Sequence, residues 1–396
     1  MSGSLDIVKY LVDLGYPIGA ESVTNAAISR NLDLLLYLHD RRQSIPADAW
    51  TVKMFGVAVQ HGGMKWITFL MEHYPEICFV NSWIMEQAAK NGDLECVKYL
   101  YSVRQTQEES GHPKDDMKPF HLGESLKHAS INGRLEIVQY LLAHTGFNFG
   151  ELSAANNEAC RYGHLAIVKA LCSRLKNVDQ YDTHPDEEIS LNQAIQNAAS
   201  SGHLEIVEYL RQGGYAKMKN VDFSQCLLGG NIRIAQLAYE DITAAGNIVA
   251  VSPLCFDHVL KSNHLDIIKF INEKLIDTGL NRWVTALPIS AGLNYPELLV
   301  YLLEKRPEFS IPEASSPPKA YHYPDIPENK VKHLCSAIET AYMDSIIGGY
   351  YHCLVALYKH FPKHFQRVRF IKLYKQYPSY DINYWFQTTL DIDPDQ

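Results

Sequence analysis

The 17 histidines of this 396-residue chain are the first place to look for acid–base or metal chemistry. His360 and His364 are four residues apart, the spacing that puts two zinc ligands on one helix face. Pro362 lies between them and interrupts such a helix, and no third or fourth ligand is adjacent. Three other histidines recur at one position of a repeated motif and are interpreted as structural: His164, His203 and His264. We therefore predict no metal site.

The cysteines offer little more as nucleophiles. All 8 are widely spaced, and none forms a C-x-x-C pair. Cys96 and Cys353 replace apolar residues of the repeat, and Cys226 replaces a small one, so we place them in the core as reduced thiols. The chain also lacks the phosphate-loop, dinucleotide-binding, H-E-x-x-H and G-x-S-x-G motifs. These observations predict a protein that is not an enzyme and has no cofactor.

The composition and charge of the chain exclude several classes of protein. The formal net charge is −9, hydrophobic residues make up 46% and charged residues 20%, which excludes a disordered or coiled-coil chain and a basic nucleic-acid arm. Charges within Met1–Ala20 leave no secretory signal, and no apolar run is long enough to cross a membrane. We expect an intracellular, cytoplasmic protein. One hydrophobic core seldom serves such a length unless repeats extend it.

A repeat provides that extension. Gly202-His-Leu-Glu-Ile-Val-Glu-Tyr-Leu210 has close copies at Gly92, Gly133 and Gly163, and looser copies elsewhere. We call the first residue of each copy the anchor and the residue two positions later the marker. The markers are Leu5, Leu32, Met64, Leu94, Leu135, Leu165, Leu204, Ile232, Leu265, Pro296 and Tyr351. Most are separated by about 30 residues, the scale of a supersecondary repeat.

Each copy reads as two helices joined at the anchor. In the second helix, apolar residues fall at the marker and 2, 3 and 6 positions after it, as in Leu204, Ile206, Val207 and Leu210. In the first helix, small or modest residues stand four before the anchor: Ala26, Ala58, Ala88, Ala129, Ala159, Ala198, Cys226, Val259, Ser290 and Ser345. Large apolar residues are usual seven before the anchor, where Asn156 is an exception. The pattern predicts helix pairs stacked closely on one another.

The anchor is glycine in 8 of 11 copies and asparagine at Asn263 and Asn294. Both residue types accept a left-handed backbone at the end of a helix. Arg30 is the poor fit, and we expect a distorted turn or a less stable repeat there.

The motif Gly-His-Leu-Glu-Ile-Val-x-x-Leu resembles the second half of the ankyrin repeat, and the resemblance covers about three quarters of the chain. It implies an all-α or nearly all-α solenoid of about eleven helix pairs. The family's T-P-L-H start of the first helix is absent, so the β-hairpins are expected to be short, irregular or replaced by loops. The family commonly makes contacts through the two residues before the anchor. In this sequence the corresponding residues of four copies are Gln60, His61, Lys90, Asn91, Arg161, Tyr162, Lys261 and Ser262. Arg161 and Tyr162 are the leading candidates.

The array is predicted over residues 1–305, starting inside a repeat, followed by a Pro-rich loop insertion at 306–330. Two further polar insertions are expected at 105–120 and 177–188. Residues 331–396 are predicted to hold the last degenerate repeat and an aromatic C-terminal cap. Between Lys359 and Lys375 this region has six cations and no acid.

These features favour a non-catalytic scaffold or adaptor whose partner is another protein, not a membrane. The start inside a repeat leaves a second hypothesis, the targeting half of a larger enzyme or effector. Nucleic-acid binding by the basic aromatic tail is a weaker alternative, because the chain as a whole is acidic. The oligomeric state is open, with a monomer expected if the N-terminus is complete.

Overall fold

The computed structural model describes residues 4–45, 49–109, 120–176, 186–275, 280–305 and 328–390. Within these residues the secondary structure is helical and contains no strand. The all-α prediction is therefore confirmed, and loops take the place of hairpins in the described residues. The three predicted insertions fall largely outside these ranges, and their termini are partly helical.

The chain divides into two compact units, Met1–Ala216 and Lys217–Gln396. The first unit begins with a single second helix, α1, and continues with six helix pairs. Its helices are α1 Leu5–Asp13, α2 Ala20–Ile28, α3 Leu32–Asp40, α4 Val52–Val57, α5 Met64–His73, α6 Ser82–Asn91, α7 Leu94–Glu109, α8 Gly123–Ile131, α9 Leu135–His144, α10 Phe149–Tyr162, α11 Leu165–Leu175, α12 Asp186–Ser200 and α13 Leu204–Gln212.

The second unit has four pairs followed by two more helices. They are α14 Phe223–Leu228, α15 Ile232–Ala244, α16 Pro253–Lys261, α17 Leu265–Lys274, α18 Leu280–Gly292, α19 Pro296–Lys305, α20 Glu328–Ile347, α21 Tyr351–His360, α22 Arg367–Gln376 and α23 Tyr380–Thr389. Every marker from Leu5 to Tyr351 is the first residue of a helix. The repeat count predicted from the sequence is the count of second helices in the described structure.

The core follows the repeat pattern. The small residues four before the anchor are all buried, and so are the large ones seven before it, from Phe55 in α4 to Leu287 in α18. Asn156 is buried at the same position, where the Cys172 thiol donates to its Oδ1 across 3.6 Å. First helices of neighbouring repeats pack on one another, as α6, α8, α10 and α12 do. Small side chains at the contact allow this close approach.

The turns at the anchors correct two expectations. Arg30 has φ +56° and takes the same left-handed conformation as Asn263 and Asn294, so its turn is regular rather than distorted. At the third anchor the positive φ belongs to Gly63 and not to Gly62. Residues Ala58–Gly62 form a π-helical turn, which adds a residue to the first helix and shifts the turn by one position.

Candidate functional site

Six of the eight predicted contact residues lie at or near the ends of first helices in the first unit. Lys90 and Asn91 end α6, Arg161 and Tyr162 end α10, and Gln60 and His61 lie half-exposed in the π-helical turn. Lys261 and Ser262 end α16 in the second unit. The structure therefore distributes the eight candidates over two units rather than one described surface.

Lys90 and Asn91 are engaged within the protein. The Lys90 ammonium forms an ion pair of 2.5 Å with Glu86, and the Asn91 side chain donates to the carbonyl of Val59 across 3.3 Å. These bonds tie α6 to itself and to the preceding repeat. A partner would have to replace them, which lowers the gain from contacting these two residues.

Glu86 also accepts a hydrogen bond of 3.2 Å from His128 Nε2. Burial lowers the pKa of His128, and nearby Lys90 lowers it further, while Glu86 acts in the opposite direction. The neutral imidazole is thus favoured, and the contact links α8 to α6 as a hydrogen bond rather than as a full ion pair.

Arg161 and Tyr162 are presented to solvent. Both are exposed, Tyr162 to 51% of its surface, and the nearest carboxylate of Glu158 lies 4.0 Å from the Arg161 guanidinium. The backbone beneath them is held in place, since His203 Nε2 donates to the Arg161 carbonyl across 2.9 Å. A fixed backbone with two large, exposed side chains suits a binding surface.

The hydrogen bond from His203 recurs between other neighbouring repeats. In the repeat before it, His164 Nε2 donates to the carbonyl of Ile131 across 3.0 Å, and in the second unit the Tyr295 hydroxyl donates to the Lys261 carbonyl across 2.7 Å. Each side chain follows an anchor and binds the carbonyl two positions before the previous anchor. It satisfies a carbonyl at the end of a first helix, where the helix itself offers no donor. The structural interpretation of His164 and His203 is confirmed.

The opposite ends of α6, α8 and α10 form a groove of about 910 Å³ that the sequence reasoning missed. Its lining includes the aromatic rings of Phe79 and Trp83 together with three carboxylates and one ammonium: Glu86, Glu124, Glu151 and Lys127. Trp83 is 39% exposed and lies over Gly56, where a Cβ would collide with the indole. The flank of the predicted insertion at 105–120 pointed to this place, because His121 lines the groove.

Side chains from α7 hold the loop that leads into the groove. Gln107 accepts from the Val80 amide and donates to the Cys78 carbonyl, both across 3.1 Å. Buried Arg104 donates to the Val80 carbonyl across 3.2 Å and pairs with Glu108 at 2.8 Å. These groups supply hydrogen bonds that a β-hairpin would otherwise make, so the loop keeps a defined position without strands.

The helix N-termini at the groove are also fixed. Asn148 accepts from the Glu151 amide across 2.9 Å while Glu151 accepts from the Asn148 amide across 3.0 Å, forming a capping box at the start of α10. Asn81 caps α6 by accepting from the Ile84 amide across 2.9 Å. Groove-lining side chains therefore double as caps, which makes the rim rigid.

The thiol and imidazole groups do not assemble a reactive centre in the described residues. Cys335 Sγ lies 3.7 Å from His364 Nε2, but burial raises the pKa of the thiol and lowers that of the imidazole, so the neutral pair is favoured over a thiolate. The other seven cysteines are buried, and all eight are free. His360 Nδ1 is hydrogen-bonded to the Ala356 carbonyl, and no metal-binding cluster occurs in the part of the chain that the structure describes.

The aromatic side chains of the C-terminal region are largely packed inward. Phe370, Trp385 and Phe386 are at most 2% exposed, and Phe365 contacts all three rings. Tyr380 and Tyr384 remain exposed. Rings buried in this way are not available to stack on bases.

None of the described helices has the length and hydropathy of a membrane span. A family model described as "Ankyrin repeats (3 copies)" matches residues 85–182 and 126–222. The chain is also similar to a protein of Acanthamoeba polyphaga mimivirus named "Putative ankyrin repeat protein L56", with 23% identity over 199 residues. That alignment covers 50% of this chain and 31% of the viral protein, so the chain spans under a third of its relative.

Proposed function

We propose that this chain is a member of the ankyrin repeat family and a non-catalytic scaffold or adaptor that binds another protein through the first-helix side of residues 49–176. Ankyrin repeats generally mediate protein–protein interaction, and proteins of this family are typically non-catalytic. The observation that carries the proposal is the continuity of one surface. It runs along α10 from the groove at its N-terminal end to Arg161 and Tyr162 at its C-terminal end.

The dimensions suit a protein partner. Ala154 in the groove and Arg161 are seven residues apart on one helix, which corresponds to roughly 10 Å along its axis. With the neighbouring helices α6 and α8, the surface offers aromatic, cationic and anionic groups side by side. Aromatic and arginine side chains dominate the energetics of protein interfaces. We accordingly expect Trp83, Tyr162 and Arg161 to contribute most of the binding energy.

Rigidity supports the same proposal. The capping box of Asn148 and Glu151 fixes the N-terminal end of α10, and the hydrogen bond from His203 fixes its C-terminal end. A prearranged surface loses little conformational entropy on binding. The free, buried cysteines also support the proposal that the protein works inside the cell, in a reducing compartment.

The test uses two matched substitutions of an alanine by arginine. Ala154 lines the groove and Ala166 is exposed on the second helix α11. We expect Ala154→Arg to fill the groove. It should weaken the binding of a partner isolated with the intact chain by roughly tenfold, since blocking a hot-spot region costs more than about 1 kcal/mol of binding free energy. Ala166→Arg, which adds the same charge and volume on the other side, should leave the affinity unchanged.

A double substitution, Arg161→Ala with Tyr162→Ala, tests the other end of the surface in the same binding measurement. Circular dichroism would establish that each variant is folded. If the partner binds both groove and helix-end variants as tightly as the parent chain, the first-helix surface is not the binding site and the proposal fails.

A further inference from the structure

A second groove lies in the unit Lys217–Gln396, at the ends of the first helices α18 and α20. Its volume is about 650 Å³, and its lining is mostly apolar. Leu293, just after α18, and Ile347, at the end of α20, are 44% and 45% exposed at its rim, so two large aliphatic side chains border the groove. The groove is unrelated to the one formed by α6, α8 and α10.

The repeat register explains why the groove is open. Two positions before the anchor, earlier repeats carry Lys90, Arg161 and Lys261, whereas α18 carries Gly292. One position before the anchor, α20 carries Gly348. At Gly292 no side chain fills the space beside Asp344, whereas at Gly348 the ring of Tyr350 occupies the place that a side chain would take. These are the same register positions that supply Arg161 and Tyr162 on α10.

One carboxylate faces this space. Asp344 lines the groove, and its Oδ2 would lie 3.3 Å from a Cβ at Gly292. Among the described residues, no ion pair involves Asp344, although Lys261 lies at the rim of the same groove. Burial raises the pKa of the Asp344 carboxyl, and no neighbouring cation opposes the effect. A partly buried carboxylate without a counter-ion gains from a cation placed beside it.

A groove with an aliphatic rim and one carboxylate favours a side chain that is apolar along its length and cationic at its end. Lysine and arginine have an apolar stem and a cationic end, so their stems bury against aliphatic surface while the charge reaches a polar partner. Arginine fits better than lysine, because its planar fork can bind a carboxylate through two hydrogen bonds. The rings of Tyr295 and Tyr350 in the lining offer additional surface for a guanidinium.

We propose that the groove between α18 and α20 binds an arginine side chain of a partner polypeptide, with the guanidinium on Asp344 and the stem against Leu293 and Ile347. The arginine is flanked by apolar residues that cover the exposed rim. This docking site is separate from the surface proposed on α6, α8 and α10, and each can fail without the other.

The probe is a pair of synthetic peptides, acetyl-Leu-Ala-Arg-Ala-Leu-amide and the same peptide with citrulline in place of arginine. Citrulline keeps the size and shape of arginine but has no charge. Binding to the full chain is followed by NMR of labelled isoleucine and leucine methyl groups. We expect the arginine peptide to shift the Ile347 and Leu293 signals with a Kd of about 1 mM or tighter, and the citrulline peptide to bind roughly tenfold more weakly.

Two protein variants complete the test. Asp344→Asn should weaken the arginine peptide roughly tenfold and abolish the preference over citrulline, because it removes the charge and keeps the shape. Asp257→Asn on α16 removes the same charge outside the groove lining and should change neither value. Thermal unfolding checks that both variants are folded.

Equal binding of the two peptides, an unchanged affinity in Asp344→Asn, or the absence of shifts at Ile347 and Leu293 would each overturn the proposal. Shifts that depend on charge but persist in Asp344→Asn would place the cation elsewhere and overturn it as well. The variant Ala154→Arg, which alters the groove of the first unit, should leave the peptide titration unchanged.

Discussion

The contact between Gly163 and His203 gives a quantitative test of how neighbouring repeats are joined. Gly163 has φ +82°, and a Cβ at this residue would lie 2.7 Å from Cε1 of the His203 ring. An alanine there would be strained in its backbone and would also displace the ring. Gly214 separates the two effects, since it has φ +68° and nothing within 4 Å of the same position.

The magnitudes follow from these two geometries. A left-handed alanine costs about 1–2 kcal/mol, and the lower entropy of its unfolded chain returns about 0.4–1 kcal/mol, so Gly214→Ala should cost about 1 kcal/mol. Gly163→Ala carries the same strain and also breaks the hydrogen bond from His203 to the Arg161 carbonyl. A net hydrogen bond contributes about 0.5–1.5 kcal/mol, and lost packing adds to it, so the total should be about 2–3 kcal/mol.

The assay is urea unfolding of the single variants and of Gly163→Ala combined with His203→Ala. In the background without the imidazole, Gly163→Ala should cost only about 1 kcal/mol, which gives a coupling of about 1–2 kcal/mol between the two sites. Because repeat arrays need not unfold in one step, native-state hydrogen exchange of α10 and α11 should accompany the urea curves.

The opposite result is easy to recognise. If Gly163→Ala and Gly214→Ala destabilise equally, and if the cost at Gly163 does not change when His203 is removed, the ring does not restrict the anchor. Glycine would then be required there for its backbone conformation alone, and the explanation of the His203 position would be wrong.

Three further outcomes are expected. Arg30→Gly should raise the free energy of unfolding by about 0.5–1 kcal/mol because it relieves a left-handed arginine, whereas Asn263→Gly should change it less; equal effects in urea curves would contradict the strain at Arg30. Gln107→Ala should cost about 2 kcal/mol by leaving two backbone groups of the loop before α6 unpaired, while the exposed Gln105→Ala on the same helix should cost little, and exchange of the Val80 amide should separate them. Burial and the nearby Arg42 lower the pKa of His39 in the folded state. The neutral imidazole therefore contributes fully to the free energy of unfolding above the pKa of the unfolded state, and this contribution is lost as the pH falls below about 6.5. Lowering the pH from about 7 to about 5 should therefore reduce the urea midpoint less in His39→Gln than in the parent chain, and equal slopes would refute this assignment.

The periodic features of this protein were predictable because they are local. Apolar residues at fixed intervals place one stripe on a helix, and small residues four before the anchor allow neighbouring helices to approach. From these intervals alone, the sequence identifies the start of every second helix, from Leu5 to Tyr351. It also shows the absence of the family's T-P-L-H start, which fits the loops seen in place of hairpins.

Contacts between repeats could not be predicted in the same way. The sequence marks Lys90 and Arg161 as equivalent, yet Lys90 is paired with Glu86 whereas Arg161 is exposed. At the third anchor it points to Gly62, and the π-helical turn moves the positive φ to Gly63. Equal positions in a motif thus acquire different roles when their neighbours differ.

The two grooves depend entirely on tertiary structure. One exists because the N-terminal ends of three first helices meet around Trp83, and the other because the ends of α18 and α20 leave space beside Asp344, at Gly292. Residues far apart in the chain create each cavity, and no interval in the sequence records the distance between them. The sequence by itself determined the helices and their stacking order. Only the packed structure decided which side chains are paired, which are exposed and where space remains for a partner, because these depend on side chains that reach from one repeat to the next.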